Sequence, residues 1–198
     1  MALPASEAPA AIKKKMMKLY YLILEKTMMP EYTDSTTDGI DHINIYSKGY
    51  TKLGRLLSNF TKSEFTHPIY GHFMSVEGFW YYIKLEKIDD IRKEALRSLY
   101  GFSAKQLGRQ LEKDHNPVHR DDFIQLITDC ITIKIMQSNE IKQLLIDSTL
   151  PFAHYYVTPN KFCITPKNLK WLLDHIESVR CTLKEMENRQ YRDWEILT

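Results

Sequence analysis

Few of the features that announce a standard chemistry are present in this chain. Its three cysteines, Cys130, Cys163 and Cys181, are odd in number and widely spaced. They offer neither a disulfide framework nor a paired metal-ligand motif, and they point to a reducing interior. No histidine stands in an H-E-x-x-H arrangement. His115 and His119 lie four apart but are interrupted by Pro117 and make a weak metal site, so metal catalysis is not expected. Net charge is almost absent too: 27 basic against 25 acidic side chains leave +2, which argues against a broad nucleic-acid surface and confines any such contact to a local patch. Nor is there a long apolar run. Leu19 to Leu24 is stopped by Glu25 and Lys26, far short of the roughly 20 residues that cross a bilayer. Lys13, Lys14, Lys15 and Lys18 precede that run in the manner of a signal peptide. The short apolar part and the lack of a small-residue cleavage site predict a cytoplasmic protein without membrane contact.

What is present suits one folded unit. A length of 198 residues and 43% hydrophobic content fit a single sizeable core. Residues 1–15, rich in Ala and Pro and ending in three lysines, read as a disordered tail or an expression remnant, leaving 16–198 as a single compact domain. The expected class is mainly α, an α+β arrangement with minor short strands. Leu19 to Leu24 fits a strand or a helix turn equally, Pro30 to Asp41 a loop, and His42 to Tyr46 a short strand with Ile43 and Ile45 on one side. Ser75 is a natural N-cap for a helix through Lys84, weakened by Gly78 in its first turn. Asp89 and Asp90 open a further helix that Gly101 would end, and Ser103 with Gln106 forms a capping box for a helix through Leu111. Phe123, Leu126, Ile127, Ile131 and Ile135 make a buried stripe after Asp121 and Asp122, read as core scaffold. Helices are also expected over Glu140 to Asp147 and, after a loop from Pro151 to Phe162, from Thr165 as N-cap with Pro166 at the first helical position.

The most informative stretch is Leu57 to Lys84. In a helix starting at Ser75, the 100° step per residue puts Glu77, Trp80, Tyr81 and Lys84 within one stripe roughly 100° wide. A carboxylate, an ammonium and two rings that can stack then share a face. A core-facing stripe would carry Leu, Ile or Val at that spacing, so the combination suits a nucleotide-sugar pocket. The plainer alternative is a solvated face.

Leu57-Ser58-Asn59-Phe60, then Gly71, then Glu77 and Lys84 seven apart, resemble the opening motifs of the NADAR family, also called YbiA-like, in which an L-S-N-F turn precedes an S-E-x-x-x-x-x-x-K helix. Ala104 to Arg109 is similar to its A-x-x-x-G-R segment. Lys134-Ile135 falls where the family has K-F, Leu144-Leu145 where it has L-L, and Asn168-Leu169 near its N-x-L-G. There are departures. The family's Trp after G-R is answered only by His119 or Phe123, its D-x-x-W-G turn is replaced by Tyr155 to Cys163 with Pro159, Asn160 and Phe162 nearby, and the Gly after N-x-L is Lys170.

The resemblance implies a single NADAR-like helical domain and an N-glycoside hydrolase. Family members remove ADP-ribose from guanine in DNA or RNA, or cleave ribosylamino intermediates of riboflavin synthesis. Divergent members occur in phages, where they would counter ADP-ribosylating host defence from the host cytoplasm. It implies Glu77 and Lys84 as catalytic residues. Ser58, Asn59, Phe60, Gly71, Trp80, Tyr81, Arg109 and Asn168 would hold substrate, with no cofactor and no metal. Glu77 would stabilise charge at the ribose carbon or activate water; Lys84 would flank the ribose or attack it as a free amine. Each role has a structural counterpart: a helix-dipole partner for Glu77, a turn for Asn59, core packing for Trp80 and Tyr81, a helix C-cap for Arg109. A domain that kept the fold but lost part of the site would instead bind ADP-ribosylated nucleic acid or a host protein without turnover.

Overall fold

Capping side chains decide where most of these helices begin. In the computed structural model, which describes residues 34–117, 120–158 and 163–197 with side chains to 189, Asp34–Thr198 is one compact unit. The expectations for 1–15 and for Leu19 to Leu24 lie outside the described residues. The first elements are a 3-10 turn over Ser35–Thr37, strand β1 (Ile43–Asn44) and helix α1 (Lys52–Leu57). Thr51 caps α1 by accepting the Gly54 N–H. An antiparallel hairpin follows, β2 (Phe65–His67) and β3 (Gly71–Phe73). The residues between Phe60 and Ser75 carry no pattern that announces it. Gly71 carries the turn at φ 77°, a conformation that side chains with a Cβ rarely adopt.

Helix α2 (Val76–Lys84) begins as expected, with Ser75 Oγ accepting the Gly78 N–H at 3.0 Å. Gly78 has a reason beyond propensity: a Cβ there would sit 2.2 Å from the Leu96 carbonyl oxygen. That carbonyl belongs to a 3-10 segment, Ile91–Arg97, which Asp90 caps. A second close approach occurs at Gly108 in α3 (Gly101–His115), where a Cβ would enter the Tyr81 ring at 2.0 Å. These two glycines let α3 and the 3-10 segment close directly on α2, the helix at the centre of the core.

Helix α4 (Phe123–Gln137) buries Phe123, Ile127, Ile131 and Ile135 of the expected stripe, leaves Leu126 partly covered, and buries Cys130 and Lys134 with them. Ser138 caps α5 (Asn139–Asp147). β4 (Phe152–Ala153) pairs parallel with β1, and β5 (Tyr156–Val157) pairs antiparallel with β6 (Cys163–Ile164). α6 (Lys170–Leu197) closes the chain and packs on α4, α5 and β4. Rings fill the centre: Phe73 meets Phe65 face to face at 5.9 Å and Phe79 edge-on at 5.1 Å. Burying each such side chain contributes about 1.5–3 kcal/mol.

The class is mainly α with short strands. Among the described residues no helix is long and apolar enough to cross a membrane. Several boundaries moved. Tyr100 is extended and α3 opens at Gly101, so Gly101 starts a helix instead of ending one. Ser103 therefore lies inside α3 and caps nothing, and the helix runs past Leu111 to His115, where Asn116 turns left-handed at φ 45°. The last helix starts at Lys170, not beside Thr165, because Asn168 at φ 66° cannot join a right-handed helix. Short strands at Phe152 and Tyr156 interrupt what reads as a loop.

Candidate active site around Glu77

The Ser58–Asn59–Phe60 turn docks on the N-terminal end of α2. The Ser58 hydroxyl accepts the Phe60 N–H at 3.3 Å, and the Asn59 carbonyl accepts the Glu77 N–H at 2.9 Å. The first turn of a helix leaves such N–H groups without intrahelical partners, so this bond ties the turn directly to Glu77. The side-chain oxygen of Asn59 is buried and has no hydrogen-bond partner. A buried acceptor left open costs about 1–3 kcal/mol.

Glu77 is half-buried, and burial pushes its pKa up to about 7 against the opposing charges of Lys105, Lys84 and Arg109. Among the described residues no side chain donates a hydrogen bond to that carboxylate. Lys84, two turns on, does not pair with it. Its Nζ lies 2.8 Å from the Glu112 carboxylate on α3 and over the rings of Trp80, Tyr81 and Phe123 at 5.3, 5.5 and 5.4 Å. Cation–π contacts and an ion pair together fix this ammonium. Phe123, offered by the sequence where the family has Trp, meets Trp80 edge-on at 4.6 Å.

The expected residues therefore separate. The Asn59 carbonyl ties the Ser58–Asn59–Phe60 turn to Glu77, and the charges of Lys84 and Arg109 reach its carboxylate. Trp80 and Tyr81 pack as much as they present: Tyr81 is 6% exposed against Gly108, so it offers no open stacking face. Gly71 belongs to the hairpin turn, where the nearest atom to a Cβ would be on Arg97. Asn168 is exposed in the turn before α6. Both follow from backbone conformation, since Gly and Asn are the residues that tolerate positive φ.

Three contributors were missed. Lys105 sits over the Phe60 ring at 5.2 Å and is the strongest charge opposing burial at Glu77. Glu112 holds Lys84. Lys105, Arg109 and Glu112 fall on one face at i, i+4 and i+7, a signal that ending the helix at Leu111 concealed. Tyr156 on β5 completes the surroundings: burial, then the Glu77 charge, then Tyr46 raise its pKa, and its ring meets Tyr46 at 5.5 Å and His154 at 5.1 Å, both edge-on. His154 donates from Nδ1 to the Ile45 carbonyl at 2.6 Å, and burial lowers its pKa. The bond to the Ile45 carbonyl works against that shift. His115 pairs with Asp90 at 2.8 Å, His119 lies outside the described residues, and no cluster of metal-ligating side chains occurs among the described residues. The positions expected to match the family's D-x-x-W-G turn, Pro159, Asn160 and Phe162, also lie outside them.

Compared with known proteins, the chain matches no family model and no curated relative.

Proposed function

We propose that this protein is an N-glycoside hydrolase that removes ADP-ribose from guanine bases, on a NADAR-like fold. The observation that carries the reading is a carboxyl with a pKa near 7, ringed by Lys105, Lys84 and Arg109 beside an open Asn59 acceptor. A general acid–base group works best with a pKa close to the operating pH. Cations around it suit a pyrophosphate, and an unpartnered amide oxygen suits a ribose hydroxyl. In the proposed step the C1′–N bond breaks with its electron pair passing to the base. Glu77 takes a proton from the attacking water, whose oxygen bonds to C1′, and a proton is returned to the base nitrogen. The products are free ADP-ribose and unmodified guanine.

Lys84, paired with Glu112 and packed on three rings, is placed to hold charge, so water assisted by Glu77 is preferred over attack by the Lys84 amine. That engagement of Lys84 also favours, as second reading, a binder of ADP-ribosylated nucleic acid without turnover. Incubation with ADP-ribosylated guanosine separates the two. Released ADP-ribose supports the hydrolase; saturable binding with no release supports the binder. Release from a ribosylamino pyrimidine and not from the guanosine adduct would transfer the activity to the riboflavin-type substrate.

A further inference from the structure

Lys134 lies in the interior of α4, 1% exposed, and its pKa is lowered by burial to about 8. No carboxylate is paired with it among the described residues. Its Nζ reaches instead to the C-terminal end of α1, 3.0 Å from the carbonyl oxygens of Leu56 and Leu57 and 3.5 Å from that of Ser58. A helix C-terminus leaves these carbonyls without intrahelical donors, and its dipole favours a cation. The lysine thus cross-links α4 to the turn that follows α1. The next two residues of that turn are the ones that reach the site: the Asn59 carbonyl accepts the Glu77 N–H at 2.9 Å, and the Phe60 ring carries Lys105 at 5.2 Å.

We propose that Lys134 is a positioning residue for the Glu77 site, its buried ammonium holding the Ser58–Asn59–Phe60 turn so that Asn59 meets α2 and Phe60 presents Lys105 to the carboxylate. This rests on the role proposed for Glu77 but on no particular substrate. Without the ammonium, the Leu56 and Leu57 carbonyls lose their donor, the Ser58 carbonyl keeps only the Thr61 N–H at 3.4 Å, and the turn relaxes. Lys105, the strongest charge opposing burial at Glu77, then moves away, and Glu77 holds its proton more tightly.

The test is Lys134→Met, which preserves length and removes the donors, read by site-resolved carbon NMR titration of the Glu77 carboxyl. The Glu77 midpoint should rise by about half a pH unit or more above the wild-type value. A folded variant with an unmoved midpoint, however much stability it has lost, would overturn the proposal. Because Lys134→Met can fail to fold, Phe60→Leu is measured beside it. That change leaves Lys134 in place and breaks the link to Lys105, so the midpoint should again rise; if it stays put, the proposed path through Phe60 is wrong. Failure of the hydrolase reading is separable: shifted midpoints with no ADP-ribose released by wild type would leave the positioning role standing, whereas turnover with unmoved midpoints would remove it and keep the reaction.

Discussion

Two groups of buried polar residues in this protein are treated in opposite ways. Around β1 and β4, Asp38 accepts the backbone N–H groups of Asn44 and Tyr50 at 2.9 and 2.7 Å. Asn44 exchanges two hydrogen bonds of 3.1 Å with the Tyr155 backbone, and His42 bridges Asp41 and the Tyr155 hydroxyl. Around Glu77 the carboxylate meets charges without a direct donor, and the Asn59 side-chain oxygen has no partner. A satisfied network rigidifies a fold, while an unsatisfied one is costly unless a ligand completes it. The first region joins two distant segments; the second leaves an acceptor and a carboxylate without direct donors.

The sharpest way to break this contrast is to neutralise Glu77. Glu77→Gln should lower turnover on ADP-ribosylated guanosine by about 10² or more with little change in affinity; near wild-type turnover by the folded variant would remove its catalytic role. Lys84→Arg should retain part of the activity, and borohydride should trap no ADP-ribosyl adduct on the peptide containing Lys84. Loss of all activity together with an adduct in the wild type would restore the amine as nucleophile.

Stability should respond in opposite directions in the two regions. The Glu77 carboxyl binds its proton more tightly folded than unfolded, so its contribution is fully present below about pH 4.5 and is lost as pH rises toward about 7. Glu77→Gln should therefore unfold at higher denaturant than wild type above pH 7, by at most about 3 kcal/mol, with the gap closing below about pH 4.5. Asn44→Ala should instead destabilise by roughly 2 kcal/mol or more at all pH values, since it strands the Tyr155 N–H and carbonyl. A neutral Asn44→Ala would mean that the network is less tight than its distances indicate. The smallest effect concerns salt. With few phosphate contacts, log activity on ADP-ribosylated DNA against log salt should be shallow, and a slope steeper than about −4 would argue for an extended strand-binding surface.

Local chemistry was legible where a side chain acts on its own backbone. Ser75 caps α2 as read, most of the α4 stripe is buried, and Trp80 and Tyr81 do gather at Lys84, whose carboxylate partner is Glu112 and not Glu77. These follow from helical periodicity and capping, which neighbours in sequence decide. The reach of α3 was not legible, because Tyr100 extended and Asn116 left-handed are backbone states that no residue type dictates. With it Glu112 was lost to view.

By itself the sequence determined a mainly α chain, the start of α2, and the company of Glu77 with the L-S-N-F turn. Only the tertiary structure decided which of those residues are covered and which are not. Gly78 and Gly108 admit two backbone segments against α2, so Tyr81 is covered while the Glu77 carboxylate feels the charges of Lys105, Lys84 and Arg109. It also decided that Lys84 pairs with Glu112 and that Lys134 is spent on the carbonyls of α1. Long-range pairings of this kind depend on how closely helices approach, and that distance is set by packing across the core, which a one-dimensional pattern does not contain.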